Sequence, residues 1–269
     1  MGQSDIIESF IMGKGAHGEC EDVLFVGEHF YGVIDGVTSK FPVKYGGKSA
    51  GQYCAELVAN AIDTLDGDAD AISALEALDA EIKKAYGGAE ITTENKMQAC
   101  VIIYSKARHE IFSYGDCQLM INGKPFDHTK RIDTLLEELR AFAVMTYIAE
   151  GGCPESLCEK DVGREAIMPF LKKQSVFANK DGYFGYAVLD GTGINKNLVK
   201  SYTVNVGDEV VLASDGYPKL FPTLKESEEY LSQVLQCDPY SISENRQTKM
   251  KSKESLSFDD RSYLRFTVE

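Results

Sequence analysis

The sequence predicts an α+β protein in which pairs of amphipathic helices are set between hairpin-type antiparallel strands. Three observations predict it. Short apolar runs bounded by Gly, Asp and Asn mark strands near residues 23–34, 99–121 and 199–213. Apolar residues at 3.6-residue spacing mark helices in two blocks, residues 50–86 and 132–168. No internal repeat, low-complexity block or linker divides the 269 residues, and a hydrophobic content of 43% suffices to bury one large core. A single domain spanning 1–269 is the expectation.

Taken in order, Ser9-Phe10-Ile11-Met12 reads as a short strand, and Gly13-Lys14-Gly15-Ala16-His17-Gly18 as a glycine-rich loop. No helix follows directly behind those glycines, so they are a weak phosphate cradle. The acidic pair Glu21-Asp22 then opens the apolar run Val23-Leu24-Phe25-Val26, and Phe30-Tyr31-Gly32-Val33-Ile34 ends in Asp35-Gly36. This is the pattern of a β-hairpin whose two acidic ends antiparallel pairing makes neighbours. Carboxylates held together repel unless a proton or cation sits between them, and hard divalent cations take oxygen ligands. Asp-Gly is also a common plain turn, because Gly tolerates positive φ and Asp bonds its own backbone. Similar patterns downstream decide in favour of a site.

Residues 37–45 read as a loop containing Pro42, and Gly46-Gly47-Lys48-Ser49 leads into a helix with Cys54, Leu57, Val58, Ala61 and Ile62 on one face. Ile72, Leu75, Leu78, Ile82 and Tyr86 form a second stripe, ended by Gly87-Gly88. Residues 99–104 are apolar on both faces and so central in a layered structure. Residues 110–114 and 118–121 are two further strands around Gly115-Asp116, with Asn122-Gly123 as a turn. Ile132, Leu135, Leu136, Leu139, Phe142 and Ala143 make a helical stripe, and residues 162–168 a helix stopped by Pro169. Residues 183–189 resemble a strand, while residues 199–206 and 209–213 read as an antiparallel pair joined at Gly207-Asp208 and ending in Ser214-Asp215-Gly216. A polar helix over residues 224–235 follows, then a surface loop or mobile helix over residues 241–255. A last strand, residues 262–268, follows Asp259-Asp260-Arg261.

A net charge of −14 argues against nucleic acid and anionic membrane as partners. No apolar run approaches the roughly 18 residues needed to span a bilayer. The N-terminus lacks the basic start and apolar core of a signal peptide, and seven cysteines without a C-x-x-C pair indicate reduced thiols. A cytoplasmic monomer is expected.

The acidic series is therefore Glu21-Asp22, Asp35-Gly36, Gly115-Asp116, Ser214-Asp215-Gly216 and Asp259-Asp260, each beside a strand end. In order and strand context, over nearly the whole chain, it resembles the metal-dependent serine/threonine phosphatases of the protein phosphatase 2C family. Asp127-His128 and Gly46-Gly47 are smaller echoes of the same pattern. The resemblance implies a four-layer α/β/β/α sandwich of two antiparallel sheets flanked by helices. It also implies a binuclear Mg²⁺ or Mn²⁺ centre acting on phosphoserine or phosphothreonine of a phosphorylated protein. Under it, Asp35 would bridge the two ions, Glu21 and the Gly36 carbonyl would complete one ligand set, and Asp215 and Asp259 would hold the other. Asp22 would orient bound water, and Asp116, with Asp215, would hold a third, weaker ion.

The family commonly has an arginine four residues before the motif glutamate, and this chain has His17 there. His17, Lys14, Lys40, Lys44 and Arg261 are the cationic candidates for holding phosphate, and Val37 stands where many members carry His or Met. His29, His109 and His128 lie outside the acidic clusters. Two other readings stay open: a non-catalytic relative that binds a phosphorylated partner, and a hydrolase of small phosphate esters.

Overall fold

Two five-stranded antiparallel sheets carry the fold. The computed structural model describes residues 5–15, 19–126 and 128–269, so His17 and Asp127 lie outside the described residues. The first sheet has the order β1 (Ile6–Met12), β12 (Arg261–Thr267), β11 (Glu209–Ala213), β8 (Gln118–Ile121) and β9 (Lys124–Phe126). The second has the order β10 (Lys200–Thr203), β7 (Glu110–Tyr114), β6 (Ala99–Ser105), β3 (Phe30–Gly36) and β2 (Asp22–Val26). A small hairpin of β4 (Lys44–Tyr45) and β5 (Lys48–Ser49) turns on Gly46 and Gly47, both at positive φ, which residues with a Cβ rarely adopt.

The period-two alternation of the strands decides the layers. Tyr31, Val33, Ile102 and Tyr104 of the second sheet pack against Leu212, Leu264 and Phe266 of the first. The Phe266 ring meets Tyr104 and Tyr31 at centroid separations of 4.8 and 5.2 Å. On its other face the second sheet turns Ile34, Val101, Ile103 and Phe112 toward α1 (Ala50–Ile62) and α2 (Ala71–Ala85). Val211, Met120 and Tyr263 of the first sheet meet Tyr217, Leu220 and the start of α5 (Leu224–Cys237). The result is an α/β/β/α sandwich. Helices α3 (Arg131–Ala149) and α4 (Val162–Leu171) add Ile132, Leu136, Ile167 and Leu171 to the core between the sheets.

Local capping explains where the helices begin. The Ser49 hydroxyl accepts from Gln52 N–H at α1, and Asp70 accepts from Ile72 and Ser73 N–H at α2. Thr223 caps α5 by accepting from Glu226 N–H. Pro169 does not stop α4, which runs on to Leu171. So near the helix end its missing N–H removes one bond, and Lys172 N–H still closes onto Met168 O at 3.0 Å.

Two strand expectations are corrected. Residues 183–189 form no strand and make only isolated bridges, Ala99 with Leu189 and Ala178 with Tyr186. The turn after them is held by a buried side chain instead: the Asp79 carboxylate accepts backbone N–H bonds from Asp190, Gly191 and Gly193 at 3.1, 2.8 and 2.7 Å. The strands flanking Gly207-Asp208 do not pair with each other: β10 pairs with β7, while β11 pairs with β8 and β12. That turn crosses between sheets. Gly115-Asp116 crosses likewise, from β7 to β8.

Residues 241–255 contain no helix but are tied down by Arg140, whose side chain is fully buried on α3. Its guanidinium donates to the carbonyls of Tyr240, Ser241 and Gln247 at 3.0 to 3.2 Å, and to the Asp161 carboxylate at 2.9 Å. Arg140→Ala is expected to destabilise the protein by about 3–5 kcal/mol, because Asp161 and three carbonyls lose a buried cation. Urea unfolding of the variant checks this, and a loss below about 1 kcal/mol contradicts it.

Candidate metal centre

The β2–β3 hairpin sets the first acids side by side, with Asp22 directly opposite Asp35. Gly36 then comes so close to its neighbours that a Cβ there would lie 2.3 Å from Gly51 O and 2.5 Å from Glu21 O. A Cβ on Gly51 would likewise be confined, 2.7 Å from Gly36 O and 2.8 Å from Glu21 Oε1. Gly36 is not among the positive-φ glycines, so Asp35-Gly36 is a close backbone approach rather than the plain turn its sequence also suits. The α1 cap completes this corner, because Ser49 Oγ also donates to Glu21 Oε1 at 2.5 Å.

The crossing at Gly115 delivers Asp116. Gly115 has φ +127°, and a Cβ would strike Cys100 at 2.4 Å. Strand β11 ends just before Asp215, and Asp259 lies two residues before β12. Asp35, Gly36, Asp116, Asp215 and Asp259 thus line one cavity of about 120 Å³, together with Thr38, Lys40, Lys130, Asp133, Glu137, Arg164 and Lys249. Glu21 and Asp22 stand behind its wall. Glu21 binds Lys14 Nζ at 3.1 Å and accepts from Thr38 Oγ1, while Asp22 accepts from Ser262 Oγ at 3.0 Å.

Lysines are interleaved with these acids. Lys14 Nζ lies 3.1 Å from Glu21, 3.1 Å from Asp259 and 3.0 Å from Asp260. Lys249 Nζ is 2.6 Å from Asp259, and Lys130 Nζ is 2.7 Å from Asp116. Asp260 also accepts Lys14 N–H at 2.7 Å and so holds the backbone at Lys14, leaving Asp259 to face the cavity.

This division shows in the acidities. Burial, then the charges of Asp215, Asp22, Asp116 and Asp259, push Asp35 well above the ordinary carboxylate range. Burial pushes Asp215 up to about 7 and, with Asp260 and Asp259 nearby, Asp22 up to about 8. For Asp116 burial is outweighed by Lys130, and for Asp259 by Lys249 and Lys14, so both are held low. On α3, burial and the charge of Asp133 push Glu137 up to about 8.

The donors fit a hard cation in their chemistry: every acid offers oxygen, and the charges acting most on Asp35 are four other carboxylates. Among the described residues, no three His, Cys, Asp or Glu side chains are gathered closely enough to hold an ion as they stand. Asp116 and Asp259 are turned onto lysines instead.

The cationic candidates separate. Lys40 lines the cavity, and burial with Arg164 and Lys249 close by pushes it down to about 7. Arg261 is placed elsewhere, forked onto Glu228 at 2.7 and 2.9 Å with its guanidinium over Phe10, and it does not line the cavity. Lys44 is exposed on β4, and Lys14 is spent on acids. His128 is buried between Cys117 O and Tyr202 OH, at 2.6 and 2.8 Å, where it links β10 to the β7–β8 crossing. Sequence reasoning missed Lys130, Asp133, Glu137, Arg164 and Lys249. The only signal was Asp133 and Glu137 four apart on a helix, which reads as a solvated face.

With divalent ions removed by chelator, the acids make stability fall as pH rises from 5 to 7. Asp22, Asp35, Asp215 and Glu137 keep protons in the folded state that the unfolded chain releases near pH 4. Asp116 and Asp259 act oppositely, but only below about pH 4, and Lys40 only above about 7. The thermal midpoint is expected to drop by several degrees over that interval in calorimetry; a flat or rising midpoint contradicts the burial of these carboxylates.

No protein-family model matches the sequence, and no curated protein matches it. Solved structures do resemble the fold. The Mycobacterium tuberculosis serine/threonine phosphatase PstP/Ppp is 16% identical, with 97% of each chain covered and a TM-score of 0.50. The catalytic domain of PstP in complex with two manganese ions is 17% identical, with 97% of each chain covered and a TM-score of 0.49. The S. agalactiae serine/threonine phosphatase is 11% identical over 97% of this chain and 98% of its own, with a TM-score of 0.49. At such identity the likeness to PstP/Ppp is one of architecture: the chain has the fold of a serine/threonine phosphatase.

Proposed function

We propose that this protein is a metal-dependent phosphatase that hydrolyses phosphoserine or phosphothreonine in proteins, a member of the protein phosphatase 2C group. The observation that carries the reading is the meeting of Asp35, Gly36, Asp116, Asp215 and Asp259, separated by up to most of the chain length, in one cavity on this fold. Clustered buried carboxylates are costly unless cations neutralise them, and such clusters mark functional sites.

Asp35, Glu21, the Gly36 carbonyl, Asp215 and Asp259 would hold the ions, and Asp116 would add a further oxygen ligand. When bound, a pair of Mg²⁺ or Mn²⁺ ions supplies charge neutralisation for the phosphoryl oxygens and a water acidic enough to act near neutral pH. The chain's own residues do the rest. Lys40 and Arg164, both lining the cavity, hold and orient the phosphate dianion. Asp22, held by Ser262 behind Asp35, orients water. Lys130 and Lys249 keep Asp116 and Asp259 ionised and ready to act as ligands. No cysteine nucleophile is required, and burial keeps Cys100 and Cys117 as inert thiols.

Manganese-dependent phosphate release from p-nitrophenyl phosphate and from a phosphothreonine peptide tests the reading. Asp35→Asn and Asp215→Asn should each lower turnover at least about a hundredfold and weaken manganese binding in calorimetry, with the fold retained. Undiminished turnover in either removes that residue from the ligand set. Arg164→Ala should raise KM for both substrates with a smaller change in kcat, whereas an unchanged KM would leave the phosphate to Lys40. Because the Lys14 ammonium competes for Glu21 and Asp259, Lys14→Met should tighten manganese binding on the order of tenfold, as expected for losing several partly exposed ion pairs. Weaker binding would make Lys14 an organiser of the site instead.

A further inference from the structure

The helical stripe on α3 is only half absorbed by the core. Ile132 and Leu136 are buried, but Leu135 is 47% exposed and Phe142 67% exposed. Beside them, Phe170 of α4 and Val176 and Phe177 of the single turn that follows are exposed as well. Leu135, Phe170, Val176, Phe177 and Phe184 line an almost wholly apolar hollow of about 190 Å³. Contiguous exposed apolar surface of this kind marks an interaction site. The hollow is smaller than the roughly 300–1,000 Å³ of a small-molecule site, so it suits one or two side chains of a polypeptide.

Its position relative to the acidic cavity identifies the occupant. Gln174 lines both spaces. On α3 neighbouring residues divide between the two: Ile132, Leu135 and Leu136 line the hollow, while Asp133 and Glu137 line the cavity. Lys173 stands on the rim of the hollow, and Arg131 lies over the Tyr183 ring at 4.2 Å beside it, with Glu138 on the same side of α3. A polypeptide carrying a phosphate against Lys40 and Arg164 of the cavity and an apolar side chain nearby matches those cations in charge and the hollow in polarity.

We propose that the α3–α4 hollow is a substrate-docking groove: it takes an apolar side chain of the phosphoprotein close in sequence to the phosphorylated hydroxyl, because Gln174 lines both the hollow and the cavity. This rests on the phosphatase reading for the contents of the cavity. The groove supplies binding and selectivity, not chemistry. It favours substrates with a Leu, Met or Phe near the phosphosite over those flanked only by polar residues.

The test compares the wild type with Leu135→Asp and Phe170→Asp, exposed positions whose substitution is expected to leave the fold intact, checked by circular dichroism. Phosphothreonine peptides carry one Leu or Phe at each position from four before to four after the phosphosite in a Gly/Ser background, with p-nitrophenyl phosphate as a substrate too small to reach the groove. The wild type should prefer at least one apolar-flanked peptide by about tenfold or more in kcat/KM, the worth of one buried apolar side chain. Both variants should lose that preference through KM while hydrolysing p-nitrophenyl phosphate within about twofold of the wild type. In parallel, fluorescence anisotropy measures binding of the same peptides with a non-hydrolysable phosphonate. If the wild type hydrolyses nothing, the catalytic reading fails, and anisotropy alone still decides the groove. Equal binding of apolar-flanked and polar peptides by the wild type, or undiminished selectivity in both variants, overturns the proposal. So does sedimentation showing that the variants split a dimer while peptide selectivity stays the same, which would make the groove a subunit contact.

Discussion

Burial of carboxylates beside one another is the constraint on which the rest of this structure depends. Desolvation makes the charges of Asp22, Asp35 and Asp215 harder to hold, and the charges of neighbouring acids, Asp116 and Asp259 among them, add to it. The fold answers locally with ammonium groups. Lys14, Lys130 and Lys249 take Glu21, Asp116, Asp259 and Asp260, and those so paired in the cavity stay ionised. Asp35 and Asp215 are left to protons or to a metal. An arrangement so costly to the folded state persists when it serves a function, which is the physical ground for reading a cation-dependent site here.

Backbone approach makes the arrangement possible. Gly36 and Gly51 bring the end of β3 against the start of α1 within distances that no side chain would permit. Gly115 lets the chain leave one sheet at β7 and enter the other at β8, with Asp116 at the crossing. Because strands from both sheets end at this place, acids from the two sheets share one cavity. A site built at the seam of a sandwich is also bounded by whatever closes the seam, here α3 and α4.

Helix α3 consequently faces three environments. Ile132 and Leu136 enter the core, Asp133 and Glu137 border the cavity, and Leu135, Leu139 and Phe142 remain exposed. Arg140, fully buried on the same helix, ties residues 240–247 to it, and that segment continues into Thr248 and Lys249 at the cavity. Changes at this helix therefore reach the site through packing and charge together.

The sequence by itself determined most of the elements and the acidic set, because these are local matters. Period-two and period-3.6 patterning marks strands and helices, and acids next to strand ends were visible as Asp35-Gly36, Gly115-Asp116 and Ser214-Asp215-Gly216. Tertiary structure alone decided what each strand pairs with. The turns at Gly115-Asp116 and Gly207-Asp208 look like hairpin turns, and only packing makes them cross between sheets. It also decided charge pairing: Lys130, Arg164 and Lys249 resemble ordinary surface cations in sequence, while Arg261, next to an acidic pair, is drawn away by Glu228. The physical reason is range. Secondary structure follows from neighbours along the chain, whereas electrostatic partnership depends on distances that exist only after the two sheets have closed on each other.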